Sequence, residues 1–173
     1  MSQLSSLSFT SSTDSSLLVR DVTGSYRPAE PAEVLQAALR VLAGQLRGTE
    51  MLSSPQAVRD FLRIKLGTLE HEVFAVIHLD AQHRVIEYVE MFRGTVTQTS
   101  VYPREVVKEA MRHNTAAIVL VHNHPSGVAE PSRADEHLTQ TLKSALSLVD
   151  VRVIDHLIVA GPTILSFAER GLI

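Results

Sequence analysis

Apolar residues recur along this chain in two rhythms. In residues 31–46, "PAEVLQAALRVLAGQL" places Val34, Leu35, Ala38, Leu39, Leu42 and Leu46 on one stripe of a 3.6-residue helix, a face that has to dock against something. Gly44 and Gly48 weaken its end, and "RGTEMLSS" reads as a linker into a second unit. The next helix is punctuated at both ends. Ser54 is the candidate N-cap, Pro55 takes the first helical position, Val58, Phe61, Leu62 and Leu66 point inward, and Gly67 is the stop. The rhythm then shortens. "EVFAVIHLD" and "RVIEYVEMF" are strand-like runs around the turn residues "DAQH", which predicts an antiparallel hairpin. Pro103 opens the helix "PREVVKEAMRHN". The mostly apolar run "AAIVLVHNH" fits a strand buried on both faces whose histidine-bearing end emerges at a site. The helix "SRADEHLTQTLKSALSLV", the strand "VRVIDHLIVA" and the segment "TILSFAERGL" follow. Helices alternating with strands predict an α/β sandwich with a mixed sheet.

Upstream, "LLVRDVTGSY" fits a short strand and turn, whereas residues 1–16 are rich in Ser and Thr and hold too few large apolar groups to offset the entropy of ordering them. The expected organisation is a disordered tail over 1–16, a strand and helix extension over 17–52, and a main domain over 53–173.

Composition narrows the function classes. With no cysteine among 173 residues, disulfides, thiolate zinc sites, iron–sulfur clusters and cysteine nucleophiles are excluded, so any metal must be held by His, Asp or Glu. A net charge of −3 argues against a broad nucleic-acid footprint. The longest apolar runs are strand-sized, far short of the ~20 residues of a membrane helix, and the N-terminus lacks a basic segment followed by an apolar one. A cytoplasmic location is expected.

The chemistry concentrates in "HNHPSGVAEPSRAD", residues 122–135. His122 and His124 stand two apart at a strand end, so both imidazoles point the same way, as a shared metal requires. Ser132 sits where a helix N-cap belongs, and Asp135, at the third helical position, brings its carboxylate back over the helix start. Two imidazoles and one carboxylate leave one tetrahedral position open for water, the pattern of catalytic zinc. Each half also has an ordinary explanation. Ser132-x-x-Asp135 is a capping box in its own right, and paired histidines at a strand end also occur as exposed or hydrogen-bonded loop residues. The joint spacing favours a metal site.

That joint motif resembles the JAB1/MPN/Mov34 metalloenzyme (JAMM) motif, and specifically the RadC family, whose members carry "HNHPSG" followed by "PSxxD". The likeness extends to "SPQAVRDFLRIKLG", "HEVFAVIHLDAQHRVI", "RGTVTQTSVYPREVVKEAM", "ALSLVDVRVIDHLIV" and "SFAERGL", in RadC order, over about residues 53–173. Residues 1–52 hold no convincing counterpart of the helix-hairpin-helix-like region of longer RadC proteins, so the chain resembles the shorter form. The resemblance implies a three-layer α-β-α sandwich of the cytidine-deaminase-like JAB1/MPN type, with Zn2+ held by His122, His124 and Asp135. It further implies a catalytic glutamate at the start of the early strand, where Glu72 stands; periodicity alone does not choose Glu72 over Glu70, Glu87 or Glu90. The implied reaction is hydrolysis of a peptide or isopeptide bond in a protein or peptide substrate. Zinc-activated water would attack, Glu72 would carry the proton, and Ser132 would donate to the oxyanion.

Other readings of the motif fail. In HNH nucleases the letters name residues spread over a ββα-metal motif, and a zinc nucleobase deaminase needs cysteines this chain lacks. His156, beside Asp155, is expected to support the site or the core rather than to ligate. His78, His83, His113 and His137 show no spacing for a shared metal. The competing function class, suggested by the family's name, is a non-catalytic DNA-repair or recombination accessory protein with a structural or vestigial metal.

Overall fold

The computed structural model describes residues 17–48, 55–94 and 100–173. The expected tail over 1–16 and the Ser54 cap lie outside these residues. The chain divides into two compact units, Met1–Ala38 and Leu39–Ile173.

In the first unit, β1 (Leu18–Arg20) pairs antiparallel with β2 (Tyr26–Pro28), so the single strand expected here is a hairpin. Asp21 closes its turn by accepting from the N–H groups of Thr23 and Ser25. Arg27 makes two bonds to Glu33, 2.8 and 2.6 Å long, which tie the hairpin to the first turn of α1 (Pro31–Leu46). The expected apolar stripe on α1 is only partly used. Leu46 is buried and Leu39 and Leu42 pack on the main core, but Leu35 stays 50% exposed. Leu35 belongs to the small unit, whose strands are three residues long and hold no buried position.

The second unit is a five-stranded sheet between helices. Its strands, in the order β4-β3-β5-β6-β7, are β4 (Val85–Arg93), β3 (Val73–Leu79), β5 (Ala117–Asn123), β6 (Arg152–Ala160) and β7 (Thr163–Ser166). Only β5 and β6 run parallel, joined through α4 (Arg133–Ser147); the other pairs are antiparallel, and the sheet is mixed as expected. β3 and β5, in the middle, are buried at every position. Alternation sorts their side chains. Ala75, Ile77, Val119 and Val121 face α2 (Pro55–Leu66), which contributes Val58, Phe61, Leu62 and Leu66. Phe74, Val76, Ile118 and Leu120 face α3 (Pro103–Arg112) and α4, whose Val106, Ala110, Leu142 and Leu146 fill that side. The three layers are therefore α-β-α.

Gly67 ends α2 for a steric reason. A Cβ there would lie 2.5 Å from the Arg63 carbonyl oxygen and 2.9 Å from that of Gly161, so no larger residue fits between helix and β6–β7 turn. Arg59, on the same helix, donates to the Ile164 carbonyl at 3.1 Å and thereby covers part of the edge strand β7. Among the described residues, no helix is long and apolar enough to cross a membrane.

Candidate metal centre

The site forms where β5 leaves the sheet. His122, 2% exposed, lies on the face toward α3 and α4, and His124 follows just beyond the strand. The chain then turns, with Gly127 N–H bonding His124 O at 3.1 Å and Gly127 at φ 78°, a conformation that favours glycine. The loop returns so that the Val128 carbonyl meets His124 Nδ1 at 2.8 Å. A carbonyl only accepts, so Nδ1 carries the hydrogen, and in the neutral ring Nε2 presents a lone pair.

α4 supplies the third group. Ser132 and Asp135 form a reciprocal capping box: Asp135 N–H bonds Ser132 Oγ at 3.2 Å, and Asp135 Oδ2 accepts from the Ser132 N–H and hydroxyl, both at 2.7 Å. The capping role and the placement of the carboxylate are thus one structure. With Oδ2 so occupied, Oδ1 is the oxygen turned to His122, 3.4 Å from its Nε2. His122 Nε2 and His124 Nε2 are 2.9 Å apart, and the ligand atoms of His122, His124 and Asp135 all lie within 4.8 Å of one another. A tetrahedral ion with bonds of about 2.0–2.2 Å needs donors about 3.3–3.6 Å apart, so this group could hold a metal ion with small adjustments. Two imidazole nitrogens and a carboxylate oxygen are also the donor types such an ion takes. Among the described residues no other trio of His, Asp or Glu converges in this way.

Electrostatics treat the two imidazoles oppositely in the absence of a metal. Burial pushes the His122 imidazole down to about 4, which keeps it in the neutral, ligating form. His124 is raised, chiefly by the Asp135 carboxylate, whose Oδ2 lies 3.7 Å from its Nε2. Burial acts to raise Asp135, but the neighbouring His124 and His122 and the two bonds from Ser132 outweigh it and hold the carboxyl below the ordinary carboxylate range.

Glu72 stands immediately before β3. Phe74 pairs with His122 in the antiparallel ladder, so continuing that register sets Glu72 level with His124. Asn123, 1% exposed, fixes this strand entry: its Oδ1 accepts the Val73 N–H at 2.7 Å and its Nδ2 donates to the His71 carbonyl at 3.0 Å, one bond on each side of Glu72. Glu72 is raised by burial and by the charge of Asp135, with His124 opposing. Two of the competing glutamates are engaged elsewhere, Glu87 with Arg47 and Glu90 with Lys65.

Residues 52–172 match the sequence profile of the family described as RadC-like JAB domain. The chain belongs to that family. It is 61% identical over 150 residues to a UPF0758 protein of Leptothrix cholodnii, a match spanning 87% of this chain and 68% of that one. It is also 60% identical to a UPF0758 protein of Methylibium petroleiphilum, spanning 87% and 68%, and 59% identical to one of Polaromonas sp., spanning 87% and 67%. A 150-residue match is longer than residues 52–172, so likeness to these relatives continues upstream through α1. The RadC-like JAB family and the His-His-Asp group together support a metal-dependent, hydrolase-like domain.

The remaining polar residues divide clearly in this RadC-like domain. His156 is fully buried and its Nε2 lies 2.8 Å from His122 Nδ1, while its Nδ1 lies 2.7 Å from Thr139 Oγ1. Asp155 instead turns to β7, accepting from Ser166 Oγ at 2.6 Å and Ala168 N–H at 3.0 Å. His78 is at the other end of the sheet, stacked on His113. Thr139 and the Asn123 clamp are not visible in the sequence, because each acts on a residue far from it in the chain.

Proposed function

We propose that this chain is a zinc-dependent hydrolase of amide bonds, acting on a peptide or isopeptide linkage in a protein or peptide. The observation that supports the reading is the convergence of His122, His124 and Asp135 beside a half-buried Glu72 whose pKa is raised. Zinc in such a site supplies a Lewis acid that polarises a carbonyl and makes water a stronger acid.

The chain's own residues supply the rest. Glu72 accepts a proton from the attacking water and returns it to the leaving nitrogen, and its raised pKa brings it closer to the neutral range in which such a shuttle works. Asn123 holds the backbone on both sides of Glu72, so the main chain that carries the carboxylate is in place before reaction. Ser132 gives its hydroxyl hydrogen to Asp135 Oδ2, so donation to an oxyanion requires that hydroxyl to rotate, with the Ser132 N–H still holding Asp135. The products are a carboxylate and an amine.

The test compares wild type with Glu72→Gln and His122→Ala, using elemental analysis and a panel of peptides and isopeptide-linked conjugates. Glu72→Gln keeps zinc and thermal stability but loses about 10²- to 10⁴-fold in turnover; His122→Ala loses zinc and turnover together. Activity that survives Glu72→Gln unchanged rejects the assigned base. Absence of stoichiometric zinc in wild type, even after zinc addition, rejects the metal reading.

A further inference from the structure

We propose that Thr139 is a positioning residue that, through His156, holds the hydrogen of His122 on Nδ1 and leaves Nε2 as the lone pair facing Asp135 and His124. The inference deepens the metal-site reading and rests on it for the meaning of that lone pair, while the direction of the hydrogen bonds stands on its own geometry.

Four groups are strung in sequence. The Asp135 main-chain carbonyl lies 2.6 Å from Thr139 Oγ1, Thr139 Oγ1 lies 2.7 Å from His156 Nδ1, and His156 Nε2 lies 2.8 Å from His122 Nδ1. A carbonyl oxygen only accepts, and the hydroxyl has one hydrogen, so that hydrogen goes to Asp135 in the ordinary i to i−4 bond of a helical threonine. Thr139 Oγ1 then has only lone pairs for His156, whose Nδ1 must carry the hydrogen. Neutral His156 has a bare Nε2, which accepts from His122 Nδ1–H, and neutral His122 has a bare Nε2, which in the metal-free chain accepts from His124 Nε2–H at 2.9 Å while His124 Nδ1–H is held by the Val128 carbonyl. The reverse direction turns the Thr139 hydrogen away from the carbonyl, sets two oxygens 2.6 Å apart with no hydrogen between them, and places a hydrogen on His122 Nε2, where a metal would bind.

The surroundings prevent the relay from being bypassed. Thr139 and His156 are both 0% exposed, and the His156 ring lies 4.7 Å from Phe167 and 6.0 Å from Phe74, centroid to centroid. Both imidazoles are shut away from water, His122 2% and His156 0% exposed, an environment that disfavours a second hydrogen on either ring and leaves one on each to assign. Asp135 and Thr139 are one turn apart on α4, so the helix that brings the carboxylate also anchors the relay.

Thr139→Val preserves shape but removes the acceptor for His156 Nδ1–H, which frees the relay to reverse; Thr139→Ser keeps the hydroxyl. Long-range 1H–15N NMR of the metal-free proteins at neutral pH reads the imidazole tautomers directly. Wild type and Thr139→Ser are expected to carry the His122 hydrogen on Nδ1, and Thr139→Val on Nε2. Competition with a chelator should show zinc affinity about 10- to 100-fold weaker in Thr139→Val and near wild type in Thr139→Ser. A hydrogen on Nε2 of His122 in the wild type overturns the proposal, and that spectrum is decisive even if Thr139→Val fails to fold. Thr139→Val that binds zinc as tightly as a zinc-binding wild type also overturns it. Wild type with the Nδ1 hydrogen but no zinc uptake supports the relay and rejects the metal reading instead.

Discussion

Replacing Asp135 by alanine removes two roles that one carboxylate combines, and the two separate cleanly by experiment. As the partner in the capping box, Asp135 receives two 2.7 Å bonds from Ser132. Losing a cap costs about 1 kcal/mol, and in a chain of this length each kcal/mol moves the thermal midpoint by about 2–4 °C. As the sole anionic member of the trio, Asp135 would, on the proposed metal reading, also govern metal-linked stability, which for a ligand at 1,000 times its Kd is about 4 kcal/mol, or about 8–16 °C. Ser132→Ala serves as the control, since it breaks the box and leaves the three metal donors. Thermal unfolding followed by circular dichroism, in chelator and then in excess zinc, gives the comparison. In chelator both variants should melt a few degrees below wild type. In zinc, wild type and Ser132→Ala should rise by most of the full increment, and Asp135→Ala by little. An Asp135→Ala protein that gains as much from zinc as wild type, or a wild type that gains nothing, refutes the reasoning.

Asn123→Leu should destabilise the fold by about 1–3 kcal/mol, measured by urea unfolding, because it strands the Val73 N–H and the His71 carbonyl at the entry of β3. Leu120→Ala, at a 0% exposed position in the central strand, should cost about 2–5 kcal/mol in the same assay. In the metal-free protein, His122 and His78 are both held down to about 4 by burial, against an ordinary value of 6.5, and His156 also lies well below that value. The unfolded chain therefore binds protons that the folded chain refuses, and urea midpoints should fall as pH drops from 6.5 toward 4. The raised His124 opposes this, contributing stability at low pH that fades as pH rises through its folded value, and the raised Glu72 and Asp155 carboxyls act in the same sense, but the large depressions of the three buried imidazoles set the net direction.

Much of this architecture is legible because its signals are local. Pro55 and Pro103 open helices where they stand, and the unbroken apolar run of β5 announces a strand covered on both faces. The histidine pair and the capping box are close enough in sequence for spacing alone to bring them together. Pairwise contacts across the sheet are not local, and there the sequence is silent. The order of strands, and the parallel run of β5 beside β6, follow from which apolar faces meet after collapse. Glu72 needs the register of β3 against β5 to distinguish it from Glu87 and Glu90, whose ion pairs with Arg47 and Lys65 likewise appear only in three dimensions. Thr139 reads as an unremarkable helix residue until His156 arrives from β6 to touch it.

His122, His124, Ser132, Asp135, Thr139 and His156 all lie on β5, α4, β6 and the loops between them, whereas Glu72 comes from the entry to a separate hairpin. If the proposed function holds, the residues for holding a cation and for consuming water are written in different stretches of the gene. On that reading a lineage would surrender the second by one change at position 72 and keep a folded, metal-binding protein, so within such a family the binders and the enzymes would share a fold and a centre and part company at a single carboxylate.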